Sequence, residues 1–144
     1  MFSKACEYGI RAAIYIAKKS LKEQKVGLKE VAQAINSPEA YTSKILQKLA
    51  KNGIINSDKG PTGGFSMDRQ EINKVKLSTI VFILDGDNIY KGCGLGLENC
   101  NEQMPCPMHN QFKSVRESLK IMLESTTIIS LTMGIKDGLT FLKR

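Results

Sequence analysis

The 144-residue sequence has no long apolar run, and nothing in it approaches the ~18 consecutive apolar residues of a membrane-spanning helix. Its start also lacks the layout of a secretory signal, because Glu7 and Arg11 interrupt the apolar positions there. No glycine fingerprint of a nucleotide-binding turn is present, and no internal repeat occurs. These absences predict a cytoplasmic protein with no membrane and no small-molecule substrate as partner, in which thiols stay reduced.

Positive charge is the one excess in an otherwise ordinary composition. The chain carries 21 Lys and Arg against 14 Asp and Glu, a net charge of +7. Residues 1–76 hold 14 basic and 7 acidic residues, whereas residues 77–144 hold 7 of each. The whole excess therefore lies in the first half. This asymmetry favours a polyanionic partner, although a solvated lysine-rich surface would give the same count.

Apolar periodicity divides the first half of the chain into three helices and a hairpin. Stripes at helical spacing predict helices over residues 3–19 and 28–35. A third helix is expected over residues 37–52, since a capping serine and a proline open it and Asn-Gly closes it. Residues 54–57 and 65–67 read as two short strands around a turn-rich tip.

Three helices followed by a β-hairpin form the winged helix-turn-helix arrangement. In it the third helix enters the major groove, and the hairpin tip reaches the DNA backbone or the minor groove. The sequence therefore predicts a domain over residues 1–84 that binds double-stranded DNA. The predicted contacts lie along the third helix and at the wing tip: Ser37, Glu39, Tyr41, Thr42, Ser43, Lys44, Gln47, Lys48, Lys59, Pro61, Thr62 and Gly63.

The second half predicts a short helix over residues 77–84 and a long helix that starts with Pro107 in its first turn. The long helix carries apolar residues at spacings of 4, 3, 4 and 3, typical of a helix packed lengthwise against another. This repeat could cover the chain's own core, but regulators that read two half-sites need two copies, which favours a homodimer seam. The predicted seam is Met108, Phe112, Val115, Leu119 and Met122. Residues 105–144 are thus assigned to a dimerisation helix and a C-terminal segment, and the fold class is mainly α with a small β-hairpin wing.

Three of the four cysteines and the only histidine lie within 17 residues, in a glycine-rich loop over residues 85–109. The residues are Cys93, Cys100, Cys106 and His109. Three thiolates and an imidazole can hold either a tetrahedral Zn²⁺ or a 2Fe–2S cluster. Gaps of six and five residues between the cysteines suit a loop around an object larger than one ion, which favours iron–sulfur. A structural zinc and an unmetallated thiol redox switch remain open.

Four segments together resemble the IscR/NsrR-type winged-helix regulators, the Rrf-two family. They are residues 8–12 (YGIRA), residues 46–55 (LQKLAKNGII), residues 60–65 (GPTGGF) and the cysteine loop. The resemblance implies a homodimeric, cytoplasmic DNA-binding regulator, and we expect a repressor and not an enzyme. It also implies that members with the cysteines hold an iron–sulfur cluster, which tunes DNA affinity. Iron status, nitric oxide, oxidation and cluster supply stay open as the signal.

Three departures from the family pattern bear on the site. The first cysteine gap is one residue longer than in the cluster-assembly regulator, and Lys59 replaces the usual arginine of the wing. Glu7 occupies the position from which the nitric-oxide-sensing branch supplies a carboxylate ligand across the dimer. The fourth ligand is therefore His109 or Glu7, and the Cys106-x2-His109 spacing favours histidine.

An alternative function for the cysteine loop is that of an iron–sulfur electron carrier that binds no DNA. Such a protein would hold the same cluster, but it has no use for a basic winged helix. We therefore expect a transcription regulator rather than an enzyme or an electron carrier.

Overall fold

The computed structural model describes residues 1–136 and 140–142, and they form a mainly helical chain with one two-stranded hairpin. In chain order the elements are α1 (Lys4–Ser20), α2 (Leu28–Ile35), α3 (Glu39–Lys51), β1 (Asn56–Asp58), β2 (Gly64–Ser66), α4 (Arg69–Lys74), α5 (Leu77–Asp85), α6 (Asn88–Lys91), α7 (His109–Ser125) and α8 (Ile128–Lys136). This is the predicted winged helix-turn-helix followed by a long helix. Among the described residues, every helix is too short or too polar to cross a membrane.

Helix α1 is the centre of the fold and packs against α2, α3, α5 and α8. It can do so because its inward face is small: Ala12, Ala13 and Ala17 are all fully buried. Gly9 marks the closest approach, where a Cβ atom would lie 2.2 Å from a methyl carbon of Leu84 in α5. Any larger residue at this position would have to displace the Leu84 side chain from the contact between α1 and α5.

The two strands are paired antiparallel, with Asn56 opposite Ser66, but they begin later than the sequence predicts. Ile54 and Ile55 were expected in the first strand and instead are buried in the core, since they turn inward directly after α3. The hairpin also gains a third segment. Val26 exchanges two backbone hydrogen bonds with Phe65, at 3.0 and 2.7 Å.

Two predicted helix starts are wrong in detail. Pro38 directly precedes α3, and Ser37 does not cap it; the Ser37 hydroxyl lies 2.9 Å from the Thr42 hydroxyl instead. Helix α7 begins at His109, so Pro107 lies outside it. The backbone N–H of His109 donates to the Cys106 carbonyl at 2.9 Å, which closes a turn just before the helix.

Helices α4 and α6 were not predicted, because four to six residues are too few for an apolar stripe to repeat. Helices α7 and α8 each contribute to the core, through Leu123 and Ile128, which are fully buried. Residues 137–139 and 143–144 of the predicted C-terminal segment lie outside the described residues.

Candidate DNA-binding surface and cysteine loop

Helix α3 buries one side and exposes the other. Ile45, Leu46 and Leu49 face the core. Most of the predicted DNA contacts lie on the other side, where Glu39, Tyr41, Lys44, Gln47 and Lys48 are exposed and Ser37 and Ser43 are partly exposed. The structure therefore brings a basic, hydrogen-bonding set of side chains to one face of the third helix.

Thr42 is the exception, and its prediction as a DNA contact is wrong. Its side chain is fully buried, and its hydroxyl lies 2.9 Å from both the Pro38 carbonyl oxygen and the Ser37 hydroxyl. A threonine at this position stabilises the first turn of α3 from inside. It presents no polar atom to a base.

The family-like segment in α1 positions the recognition helix α3. The Arg11 guanidinium donates a 2.9 Å hydrogen bond to the Ile35 carbonyl at the end of α2 and lies 4.7 Å from the centre of the Tyr8 ring. The Tyr8 ring in turn meets Tyr41 of α3 edge-on, at 5.7 Å between centroids. These contacts join three helices that are distant in sequence, so no local pattern in α1 indicates them.

The wing tip is built on glycine. Gly63 donates its N–H to the Gly60 carbonyl at 3.0 Å, and Gly60 has a φ of +95°. A Cβ atom on Gly63 would lie 2.2 Å from the Asp58 carbonyl oxygen, so only glycine permits this turn. Gly63 therefore shapes the tip, and the turn leaves Pro61 and Thr62 exposed.

The two lysines of the wing have different surroundings. Lys25 forms an ion pair with Asp58 at 2.8 Å. Lys59 is exposed and forms no ion pair with any described residue. Its ammonium group is therefore available to an external anion.

The four predicted metal ligands lie in the loop between α6 and α7 and at the first residue of α7, and two of them are in contact. The Cys100 sulfur lies 3.4 Å from Nδ1 of His109, which is only 6% exposed. The pKa of Cys93 is below its ordinary value, chiefly because the backbone N–H groups of Leu95 and Leu97 point at its sulfur. The neighbouring Cys106 side chain lowers it further.

The arrangement of these side chains bears on whether the loop suits a zinc ion or a 2Fe–2S cluster. Within the described residues, no three His, Cys, Asp or Glu side chains converge as a site for one metal ion. A tetrahedral Zn²⁺ needs its donors ~2.0–2.3 Å from a single point. A 2Fe–2S cluster instead takes two protein donors on each of two irons. Three thiols and an imidazole supply the four protein donors that such a cluster takes, and the structure has two of them, Cys100 and His109, in contact.

Two cavities flank the loop where it lies against α7. The polar one, about 510 Å³, is lined by Cys100 and His109, and the apolar one, about 420 Å³, by Cys93 and Phe112. Gly94 lies on the Phe112 ring, where a Cβ atom would be 2.6 Å from the ring carbons. The glycine therefore allows the loop backbone to approach α7 closely.

Glu7, the alternative fourth ligand, is separate from this loop within one chain. Its carboxylate pairs with Lys4 at 2.7 Å, and it lines neither cavity. The pKa of Glu7 lies below its usual value, chiefly because the Lys4 ammonium donates a hydrogen bond to the carboxylate. A Glu7 ligand would have to come from a second copy.

The predicted dimer seam of α7 divides into two parts. Phe112 and Leu119 are partly buried, and Leu119 packs against the core of its own chain. Met108, Val115 and Met122, spaced by seven residues, are 43%, 59% and 43% exposed. An apolar line along α7 is thus uncovered in the single chain.

Cys6 differs chemically from the three loop cysteines. It is fully buried, and burial raises the pKa of its thiol to about 12, with Asp85 adding to the shift. At pH 8 only about one part in ten thousand of such a thiol is thiolate, which is the reactive form. We expect iodoacetamide to label three of the four cysteines in native metal-free protein and the fourth only after unfolding, by intact mass. Four adducts on the native chain would contradict this burial.

The sequence matches one family of transcriptional regulators. The family model described as "Rrf2: Iron-dependent Transcriptional regulator" matches residues 2–133. A helix-turn-helix-type regulator of Aquifex aeolicus is 28% identical over 130 residues, which cover 89% of this chain and 88% of that one. The regulator IscR of Photorhabdus laumondii is 23% identical over 121 residues, 84% of this chain and 72% of the relative.

Solved structures agree with the fold. The structure of CymR, the global cysteine regulator of B. subtilis, superposes with a TM-score of 0.74 at 25% identity and covers 92% of this chain and 96% of that one. The structure of T. potens IscR superposes with a TM-score of 0.68 at 23% identity, over 96% and 88% of the two chains. The chain therefore belongs to the Rrf2 family of winged-helix, DNA-binding transcriptional regulators.

Proposed function

We propose that this regulator is a cytoplasmic homodimeric repressor whose affinity for DNA depends on a 2Fe–2S cluster held by Cys93, Cys100, Cys106 and His109. The observation that carries the proposal is that three thiols and an imidazole lie on one short loop, with Cys100 and His109 in contact at 3.4 Å. The IscR relatives and the iron-dependent description of the family support the same assignment.

The loop residues present the donors that such a cluster requires. When bound, the cluster would supply a redox-active centre whose potential depends on its ligands and their hydrogen bonds. His109 is held at the first turn of α7 with Nδ1 toward Cys100, and its burial limits its rotation. Imidazole is neutral where thiolate is charged, so a histidine ligand should raise the potential relative to a fourth cysteine.

The position of the loop offers a route from the cluster to DNA. The loop ends where α7 begins, and α7 carries the exposed line of Met108, Val115 and Met122 proposed as the dimer seam. A change in the first turn of α7 would alter the seam and hence the spacing of the two α3 helices, which must match two half-sites.

A second connection runs through α5. The Asp85 carboxylate accepts the backbone N–H of Ser3 at 2.9 Å, which joins the end of α5 to the start of α1. Lys48 of α3 lies 3.5 Å from the Leu84 carbonyl oxygen. Because α6 and the cysteine loop follow directly on α5, ordering the loop would act on the base of the recognition helix as well.

The visible absorption spectrum of anaerobically purified protein, with iron, sulfide and zinc analysis, tests the proposal. We expect a coloured protein with about two iron and two sulfide per chain. A colourless protein with about one zinc per chain would replace the cluster with a structural zinc. A colourless protein without metal would leave a thiol redox switch that uses the adjacent Cys93 and Cys106.

The same spectra identify the fourth ligand. His109→Ala should shift or abolish the cluster absorption, because it removes one of the four proposed protein ligands. Glu7→Ala should leave the spectrum unchanged. A spectrum altered by Glu7→Ala alone would transfer the ligand role to Glu7 of a second copy.

A further inference from the structure

Arg116 of α7 contacts the cysteine loop at two points. Its Nη2 donates to the Cys100 sulfur at 3.3 Å, and its Nη1 donates to the Gly92 carbonyl oxygen. Its guanidinium carbon lies 5.9 Å from the centre of the Phe112 ring, one turn earlier on the same helix. One side chain thus ties the beginning and the middle of the loop to the helix that follows it.

Arg116 also borders both cavities that flank the loop. It lines the polar cavity that contains Cys100 and His109, and it lines the apolar cavity that contains Cys93. Its positive charge is one of the causes that lower the pKa of Cys93. The guanidinium is therefore close to sulfur on both sides of the loop.

The other cations of the polar cavity are already neutralised. Lys91 pairs with Asp87, and Lys113 pairs with Glu102 at 2.6 Å. Arg116 has no carboxylate partner among the described residues; its partners are a sulfur and a carbonyl oxygen. A guanidinium in this position gains most when the sulfur carries negative charge, as a thiolate or as a cluster ligand.

We propose that Arg116 is a positioning residue of the cysteine loop, which holds Cys100 by an N–H···S hydrogen bond and thereby raises the reduction potential of the cluster bound there. The inference rests on the proposed cluster. Hydrogen bonds to the sulfur atoms of an iron–sulfur centre stabilise its reduced, more negative form, so removing a donor lowers the potential. Only arginine has the planar fork that reaches a sulfur and a carbonyl oxygen together.

The test compares Arg116→Gln with Arg116→Lys and with the matched control Lys113→Gln. The control removes one positive charge from the same helix and the same cavity but touches no cysteine. The reduction potential of each loaded protein is measured by anaerobic titration against redox dyes.

We expect Arg116→Gln to raise the ratio of oxidised to reduced cluster about tenfold at a fixed solution potential, which is ~59 mV for one electron. Arg116→Lys should lie between this variant and the wild type, and Lys113→Gln should stay within about twofold of the wild type. A shift in Arg116→Gln no larger than in Lys113→Gln would overturn the proposal. If Arg116→Gln loads no iron while both other variants do, the positioning role is supported.

A measurement on metal-free protein separates this inference from the proposed function. Hydrogen–deuterium exchange of residues 92–97 should be faster in Arg116→Gln than in wild type, with α1 unchanged, because Gly92 loses its anchor. Equal exchange in the two proteins would overturn the positioning role. A colourless wild type would overturn the cluster and the effect on potential, and exchange would still decide whether Arg116 holds the loop.

Discussion

Alanine in place of Cys93, Cys100 or Cys106 should each reduce the iron content of anaerobically purified protein to background. Each substitution removes one of the four proposed protein ligands, and a cluster held by only three ligands should dissociate during purification. The chain should stay folded, because the core lies in the helices and none of these cysteines belongs to it. We expect the free energy of unfolding of the metal-free variants to change by less than about 1 kcal/mol.

Cys6→Ala is the matched control for these variants. Cys6 is the one cysteine of the core cluster, so its loss leaves a small cavity and should lower the free energy of unfolding by roughly 1–2 kcal/mol. Its iron content should match the wild type. Iron analysis and thermal unfolding of all four variants measure both effects, and normal iron in the three loop variants would remove the basis for the cluster.

Replacing Lys59 by alanine in both subunits should weaken binding to operator and to random duplex about equally. Lys59 is exposed at the wing tip and has no ion-pair partner among the described residues, so its proposed contact is a phosphate. Loss of one phosphate contact per subunit should reduce the slope of log K against log salt by roughly two for the dimer. Lys25→Ala is the control, because Lys25 is already paired with Asp58 and should change the slope less.

Substitution of Ser43 should change sequence preference and leave the salt dependence of binding nearly unchanged, the opposite of the effect expected for Lys59. The Ser43 side chain lies in the second turn of α3, where base edges come within reach, so Ser43→Ala should change the preferred sequence with little effect on the salt slope. Thr42→Val, which removes a buried hydroxyl, should lower stability and leave sequence preference unchanged. Titrations across a salt series test this division. A Lys59→Ala protein that loses operator preference and keeps its full slope would reverse the roles of wing and helix.

The parts of the fold that the sequence predicts are those with local, repeating signals. The apolar stripes of α1 and α2 and the Asn-Gly end of α3 each depend on residues within a few turns, and the structure has these helices where they were expected. Val26 joins the wing through two hydrogen bonds to Phe65, but a single bridging residue has no periodicity to detect. The helical stripe also could not tell which polar residues of α3 face inward, and Thr42 does.

The candidate site likewise has parts that local sequence patterns predict and parts that depend on the fold. Cysteine spacing predicts the ligands, but the contact between Cys100 and His109 depends on how the loop folds against α7. Arg116 lies seven residues beyond His109 on a helix whose sequence suggests only packing, so its contact with Cys100 follows from the fold alone. The apolar stripe on α7 contains both buried and exposed residues. Leu119 packs on the core of its own chain and Val115 is exposed, and a heptad pattern does not distinguish the two.

Equilibrium DNA binding tests whether the cluster sets DNA affinity. Cluster-loaded and metal-free protein are titrated anaerobically, at fixed salt, onto one duplex selected from a random pool. We predict dissociation constants that differ at least about tenfold, a coupling of ~1.4 kcal/mol, and no difference when Cys100→Ala protein is taken through the same two preparations. Equal dissociation constants for the loaded and metal-free wild type would show that the cluster does not set DNA affinity.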